Sequence, residues 1–175
     1  NKLYNAVLLA ENGKLIARRF KRELPNDDVF YERRYFAPGP LPEPLMIKGV
    51  PIGVPICEDV WHRPVCEYLA NQGAELMLCP NGSPYWKNKQ HVRRDLARLR
   101  TEEEEVPVLY LNQVGGQDEL VFDGASFGVE PGNRLVVQGK SFESDFIVSD
   151  WQRGPAGWRC VKGEVTPLAS TAEAP

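Results

Sequence analysis

The 175-residue sequence is long enough for one hydrophobic core but not clearly for two, and it contains 42% apolar and 26% charged residues. These proportions exclude a disordered chain, and no apolar stretch reaches the roughly 20 residues that span a bilayer. The net charge of −3 gives no general attraction to nucleic acid or to an anionic membrane, so we predict neither as a partner.

Predicted strands and helices alternate through the middle of the chain, after an N-terminal hairpin. Apolar segments on both sides of Asn12-Gly13 predict that hairpin, with strands at 3–10 and 15–20. The later predicted elements, in chain order, are strand 52–56, helix 62–72, strand 76–79, helix 89–104, and strands 106–111, 125–129, 135–138 and 145–149. This order predicts an α/β layered fold with a mixed sheet.

Two segments fall outside this pattern. Residues 21–44 are polar and rich in Pro and Gly, and their aromatic residues indicate a packed loop. Residues 154–175 are rich in Gly, Pro and Ala and are interpreted as a linker or tail.

The cysteine pattern predicts free thiols and no metal. No CxxC pair occurs, and the two histidines, His62 and His91, do not form a ligand cluster with the cysteines. A reducing, cytoplasmic location is the simplest interpretation. The four cysteines are Cys57, Cys66, Cys79 and Cys160.

Cys57 is the candidate nucleophile because it follows an apolar strand and precedes a helix. Sites of α/β folds gather at the carboxyl ends of strands. The alternative is a small buried apolar cysteine, the interpretation that we favour for Cys66 and Cys79 within their apolar segments. A protease-like pair with His62 is disfavoured, because the two partners of such a pair usually come from distant segments.

A reactive cysteine needs help to form its thiolate, and Lys21 at the end of the second strand is the candidate cation. The alternative for Lys21 is a solvated surface lysine.

Four segments together resemble one family, in the right order, within residues 3–150. They are the lysine segment 21–26, the segment 52–61 around Cys57, the loop 80–84, and the segment 112–126, which is the most specific. The chain is similar to the glutaminase domain of glutamine-dependent NAD synthetases, which are carbon–nitrogen hydrolases. The resemblance implies a nitrilase-type α-β-β-α sandwich that is incomplete at its N-terminal side. Residues 1–153 would be the C-terminal part of that domain.

The resemblance also implies a reaction, the hydrolysis of the glutamine side-chain amide through a thioester. Cys57 would be the nucleophile, Lys21 would stabilise the oxyanion, and Glu32 would orient Lys21 or a water molecule. The alternative for Glu32 is a surface ion pair with Arg33 or Arg34.

Three further residues are expected to bind glutamine. Glu58 and Ser83 are candidates for its α-amino end, and Lys89 for its α-carboxylate, although a lysine on an exposed helix is more often only solvated. The basic residues of this region also admit a nucleic-acid patch, but the run Glu102 to Glu105 follows them and favours a solvated helix. These basic residues are Lys87, Lys89, Arg93, Arg94, Arg98 and Arg100.

The chain departs from the family in three respects. The family's general-base glutamate is expected upstream of residue 1, so we predict that this polypeptide alone is inactive and that its parent enzyme is active. No SGGxDS loop occurs, so the synthetase domain, with its ATP and Mg²⁺, is expected to be absent. Asp27 stands where the family often has an aromatic residue.

Other interpretations remain open. One is a stand-alone amidase or nitrilase of the same superfamily, and another is a degenerate, non-catalytic scaffold. The resemblance also implies a homo-oligomer, with glutamine and the synthetase domain as partners.

Overall fold

The computed structural model describes residues 2–26 and 29–167, which contain more strands than helices. The strands are β1 Ala6–Glu11, β2 Lys14–Phe20, β3 Leu45–Ile47, β4 Val50–Gly53, β5 Leu76–Asn81, β6 Val108–Asn112, β7 Val114–Gln117, β8 Leu120–Asp123, β9 Phe127–Glu130, β10 Arg134–Gln138, β11 Asp150–Gly154 and β12 Gly157–Lys162. The helices are α1 Glu32–Tyr35, α2 Arg63–Asn71 and α3 Lys89–Glu104, and a 3-10 turn covers Cys57–Trp61.

Six of the strands form one mixed sheet in the order β10-β9-β6-β5-β4-β3. The central strands β4, β5 and β6 run parallel, whereas β3, β9 and β10 pair antiparallel with their neighbours. Parallel neighbours need a crossover, and α2 and α3 supply the two crossovers here. The predicted α/β class with a mixed sheet is therefore confirmed.

The core lies where α2 and α3 cover the sheet. Pro64 lies in the first turn of α2, a position that needs no backbone donor, and Gly73 with a φ of +87° follows its end. The predicted core positions Cys66 and Cys79 are 0% and 1% exposed, so their assignment to the core is confirmed. The rings of Tyr110 and Phe127 stack on neighbouring strands with their centroids 4.9 Å apart. The other buried members of this core are Val60, Val65, Leu69, Ala74, Met77, Ala97, Val108 and Val129.

One strand prediction in the C-terminal region is wrong. Residues 145–149 form no strand, and Phe146 there is 89% exposed. Within the segment interpreted as a linker or tail, residues 154–162 contain regular structure, because β11 and β12 pair as a hairpin whose turn contains Pro155. The domain boundary near residue 153 stays a prediction, and residues 168–175 of the proposed tail lie outside the described residues.

The charged helix α3 is less solvated than predicted. Arg93 is 1% exposed and Arg100 is 6% exposed, so their guanidinium groups do not face solvent. Both are held by internal hydrogen bonds, which also argues against a basic nucleic-acid patch. Within the described part of the chain, no helix is both long enough and apolar enough to cross a bilayer.

Candidate active site

The candidate site lies at the carboxyl edge of the three parallel strands. Cys57 follows β4, Gly82 follows β5 and Gln113 follows β6, and all three residues line one cavity of about 420 Å³. Loops that leave neighbouring parallel strands at the same edge converge, which is why residues distant in sequence meet here. Cys57 has a φ of +48°, a left-handed conformation that is unusual for a residue with a side chain. The sharp bend places the thiol at the cavity.

Lys21 lines the same cavity as Cys57, as the sequence predicts for a pair that acts together. Burial raises the pKa of the Cys57 thiol above its usual value, while the Lys21 ammonium and the Gly82 backbone amide lower it. The carboxylates of Glu58 and Glu32 raise the pKa further. The outcome is a net rise, so the described residues keep the thiol mostly protonated near neutral pH.

Glu32 holds Lys21 in place. The Lys21 Nζ donates to both carboxylate oxygens of Glu32, at 2.9 and 2.8 Å, and Lys21 is 1% exposed. The Asn5 side-chain amide also donates to Glu32, at 3.3 Å. Neither a solvated Lys21 nor an ion pair of Glu32 with Arg33 or Arg34 is found. The two-point contact fixes the ammonium where it faces the cavity.

Asp59 joins the lysine segment to the turn that carries Cys57, a role that sequence reasoning missed. Its Oδ1 accepts the backbone N–H groups of Arg22 and Glu23 at 3.0 and 2.7 Å. Its Oδ2 accepts the N–H of Ile56 at 3.0 Å. Asp59 is fully buried, and burial raises its carboxyl pKa, although the three amide donors limit that rise. The position of Asp59 two residues after Cys57 was the available signal.

A second cavity of about 220 Å³ also includes Cys57 and contains the three predicted substrate-binding residues. Glu58 and Lys89 bring opposite charges to its lining, and Ser83 is buried there with 6% exposure. His62 lies 3.3 Å from the Glu58 carboxylate rather than against the thiol. The structure therefore brings all six predicted site residues to two cavities that meet at Cys57.

Arg93 fixes the loop of Ser83 and was also missed. Its guanidinium donates to the Ser83 hydroxyl at 3.0 Å and to the Ser83 and Pro84 carbonyls at 2.6 and 2.9 Å. It also pairs with Asp123 at 2.7 Å, and Asn112 donates to the same Asp123 oxygen at 3.5 Å. Asn112 and Asp123 lie in the most specific sequence segment, which was the signal for their role.

The described residues contain no cluster of His, Cys, Asp and Glu that could hold a metal ion. Asp27, the departure in the lysine segment, lies outside the described residues. At this site a thiol and an ammonium line one cavity, and charged side chains of both signs line the neighbouring one. Such a site suits attack on a carbonyl carbon.

Known relatives match most of the chain in sequence or in structure. A glutamine-dependent NAD(+) synthetase from Rhodobacter capsulatus is 46% identical over 162 residues, which are 93% of this chain and 29% of that protein. The structure of the glutamine-dependent NAD+ synthetase from Acinetobacter baumannii, in complex with ADP, matches with a TM-score of 0.88 and 31% identity. The match covers 97% of this chain and 32% of that one. A mutant amidase of the nitrilase superfamily, from Nesterenkonia AN1, matches with a TM-score of 0.67 and 25% identity over 79% of this chain and 51% of that one.

The chain spans about a third of the length of each of the two synthetases. The expected nitrilase-type fold is confirmed by the two structural matches. The carbon–nitrogen hydrolase model matches residues 1–157, and the chain therefore belongs to the carbon–nitrogen hydrolase family.

Proposed function

We propose that the site hydrolyses the side-chain amide of glutamine with Cys57 as nucleophile. The observation that supports this most directly is that Cys57 and Lys21 line one cavity while Glu32 fixes the lysine ammonium. A thiol and a buried ammonium at the carboxyl edge of a parallel sheet supply the two groups that acyl transfer requires.

The reaction proceeds in two halves. The Cys57 sulfur attacks the amide carbon, and a C–S bond forms while the carbonyl oxygen becomes an oxyanion beside the Lys21 ammonium. The C–N bond then breaks, the nitrogen takes up a proton, and ammonia leaves a thioester on Cys57. Water adds to the thioester carbon, the C–S bond breaks, and glutamate leaves as the thiol recovers its proton.

The thiol proton needs an acceptor, because burial holds the pKa of Cys57 above its usual value. Among the described residues that line the two cavities, only Glu32 and Glu58 have carboxylates, and both are already engaged. Glu32 binds Lys21 through both oxygens, and Glu58 lies 3.3 Å from His62. We propose the family's general-base glutamate as the acceptor, and we expect the 175-residue polypeptide alone to release no ammonia from glutamine.

The similarity to two NAD(+) synthetases suggests what the ammonia is used for. Both synthetases are described as glutamine-dependent enzymes of NAD(+) synthesis. We propose that in the complete protein the ammonia passes to a synthetase domain, which uses ATP and Mg²⁺ to amidate deamido-NAD. We also propose that the protein is located in the cytoplasm.

Replacing Cys57 by Ala in the complete protein tests the assignment. NAD formation with glutamine should fall to background, while NAD formation with ammonium chloride should persist, because only the first route passes through the thioester. Cys160→Ala is the matched control, since this half-buried cysteine lies on β12 and lines neither cavity. Equal loss with both nitrogen sources would contradict the proposal.

The rival functions give different outcomes. A stand-alone amidase of the superfamily would release ammonia from simple amides at least as well as from glutamine. A non-catalytic scaffold would leave Cys57 unlabelled by a diazoketone analogue of glutamine, which alkylates a thiolate held in a glutamine site. Labelling that requires both Cys57 and Lys21 supports the glutaminase.

A further inference from the structure

Two tryptophans converge on the Lys89 ammonium at the small cavity. The Lys89 Nζ lies 4.8 Å from the ring centroid of Trp61 and 4.8 Å from that of Trp86. Trp61 ends the turn that begins with Cys57, and Trp86 lies in the loop before α3. All four residues line the cavity of about 220 Å³. Two separate segments thus place aromatic rings around one charge near the nucleophile.

These rings offset a cost that the position of Lys89 creates. Lys89 is the first residue of α3, where the positive end of the helix dipole disfavours a cation. The face of an indole attracts an ammonium, and an ammonium within about 6 Å of a ring centroid gains from this attraction. The contacts also restrict a side chain that otherwise samples many rotamers. The ammonium is therefore preorganised, and the helix end adds positive potential.

A preorganised cation suits the charge pattern of an α-amino acid. Glu58 lines the same cavity and supplies a negative charge, while Lys89 and the α3 end supply positive potential. A simple amide has no carboxylate with which to use this potential. The charges of Glu58 and Lys89 are therefore expected to affect which amides bind, and not the cleavage of the amide bond at Cys57.

We propose that Trp61 and Trp86 are positioning residues that hold the Lys89 ammonium for the substrate's α-carboxylate, which makes the site selective for amides of α-amino acids over simple amides. This inference rests on the proposed glutaminase function and extends it to substrate selection. The indoles act through Lys89 and do not take part in the chemistry at Cys57.

The test compares two amides in the complete protein, with released ammonia as the readout. Glutamine carries the α-carboxylate, and 4-aminobutanamide is the same molecule without it. Trp86→Leu is the main variant, because Trp86 is 46% exposed and its loss leaves the core intact. We expect kcat/KM for glutamine to fall about 3- to 30-fold, mainly through KM, and kcat/KM for 4-aminobutanamide to fall by a clearly smaller factor. Trp86→Phe should give a smaller loss for glutamine, because a phenyl ring attracts a cation more weakly.

The control is Trp158→Leu, which removes an indole from β12 that donates to Glu75 at 2.8 Å and lines neither cavity. Its kinetics should match those of the unmodified protein with both amides. Equal losses with both amides in Trp86→Leu, or no loss with glutamine, would overturn the inference and leave the glutaminase standing. A complete protein that releases no ammonia from glutamine would refute the proposed function itself, and this inference with it.

Discussion

Asp59→Asn tests whether one buried carboxylate holds the lysine segment against the turn of Cys57. In the native protein, Oδ1 accepts two backbone N–H groups and Oδ2 accepts that of Ile56. An asparagine offers one acceptor oxygen, and its amide nitrogen is a donor. With the oxygen turned to Arg22 and Glu23, the buried N–H of Ile56 faces another donor and loses its partner.

The expected cost follows from these three bonds. A hydrogen bond to a charged group contributes about 1.5–3 kcal/mol, and the two bonds that remain become neutral and about half as strong. The desolvation of the carboxylate, which raises the pKa of Asp59, offsets part of the loss. We therefore expect the free energy of unfolding to fall by about 2–4 kcal/mol.

Urea unfolding at pH 7 measures this change, with an unchanged slope showing that only stability differs. Asp95→Asn is the matched control, since Asp95 is 73% exposed and lies 3.4 Å from Arg98. The control should change the free energy of unfolding by less than about 0.5 kcal/mol. An Asp59→Asn variant as stable as the control would refute the reasoning. So would a variant that loses stability but labels at Cys57 with an unaltered pH dependence, because a shifted Lys21 must change the thiol pKa.

Three further predictions concern the surroundings of the site. Alkylation of Cys57 by iodoacetamide, followed by mass spectrometry, should rise with pH around a midpoint above the usual thiol pKa of about 8.5. Lys21→Met should move this midpoint higher, because it removes the ammonium that lowers the thiol pKa. A lower midpoint in Lys21→Met would contradict the charge argument. Arg93→Met should lower the free energy of unfolding by about 3–5 kcal/mol in urea, because it leaves the buried Asp123 carboxylate without its cation. The double variant with Asp123→Asn should recover part of this loss. Strictly additive losses would contradict a stabilising ion pair between Arg93 and Asp123. Gly39→Ala should lower the midpoint of thermal unfolding, because the new Cβ would lie 2.5 Å from the Cβ of Phe20, the residue before Lys21. An unchanged midpoint would show that the loop of Gly39 moves aside and would contradict the prediction.

Local patterns in the sequence were enough to predict most elements of the sheet and both long helices. The predicted bounds of α3 match those of the structure, because the helix is long and strongly charged between two strands. The run 145–149 has consecutive apolar residues, Phe146 to Val148, that favour a strand, but it has no paired neighbour. Asp145 instead accepts the N–H groups of Lys140 and Phe146. Strand formation depends on a partner edge, which a local pattern does not contain. In the same way, Gly154 and Gly157 read as a linker, yet they flank a hairpin turn.

The residues of the candidate site also fall into those that the local sequence predicted and those that it did not. Cys57, Lys21 and Glu32 were found through motifs, and the structure brings them to one cavity. The supporting residues were harder to predict, because their partners are distant in sequence. Asp59 reaches Arg22 over 37 residues, and no periodicity encodes such a contact. An arginine on a charged helix also looks solvated until its buried partner is known.

The buried charges share one physical task. Irregular loops cannot satisfy their own backbone polar groups as helices and sheets do, so a loop held in a fixed shape needs outside partners. Asp59 supplies acceptors to the lysine segment, and Arg93 supplies donors to the loop of Ser83. Arg100 does the same for the turn after Cys57, since its guanidinium donates to the Val60 carbonyl at 2.9 Å. The lysine segment, the loop of Ser83 and the turn of Cys57 are thus each anchored by a buried charge, because their own backbones cannot satisfy these polar groups.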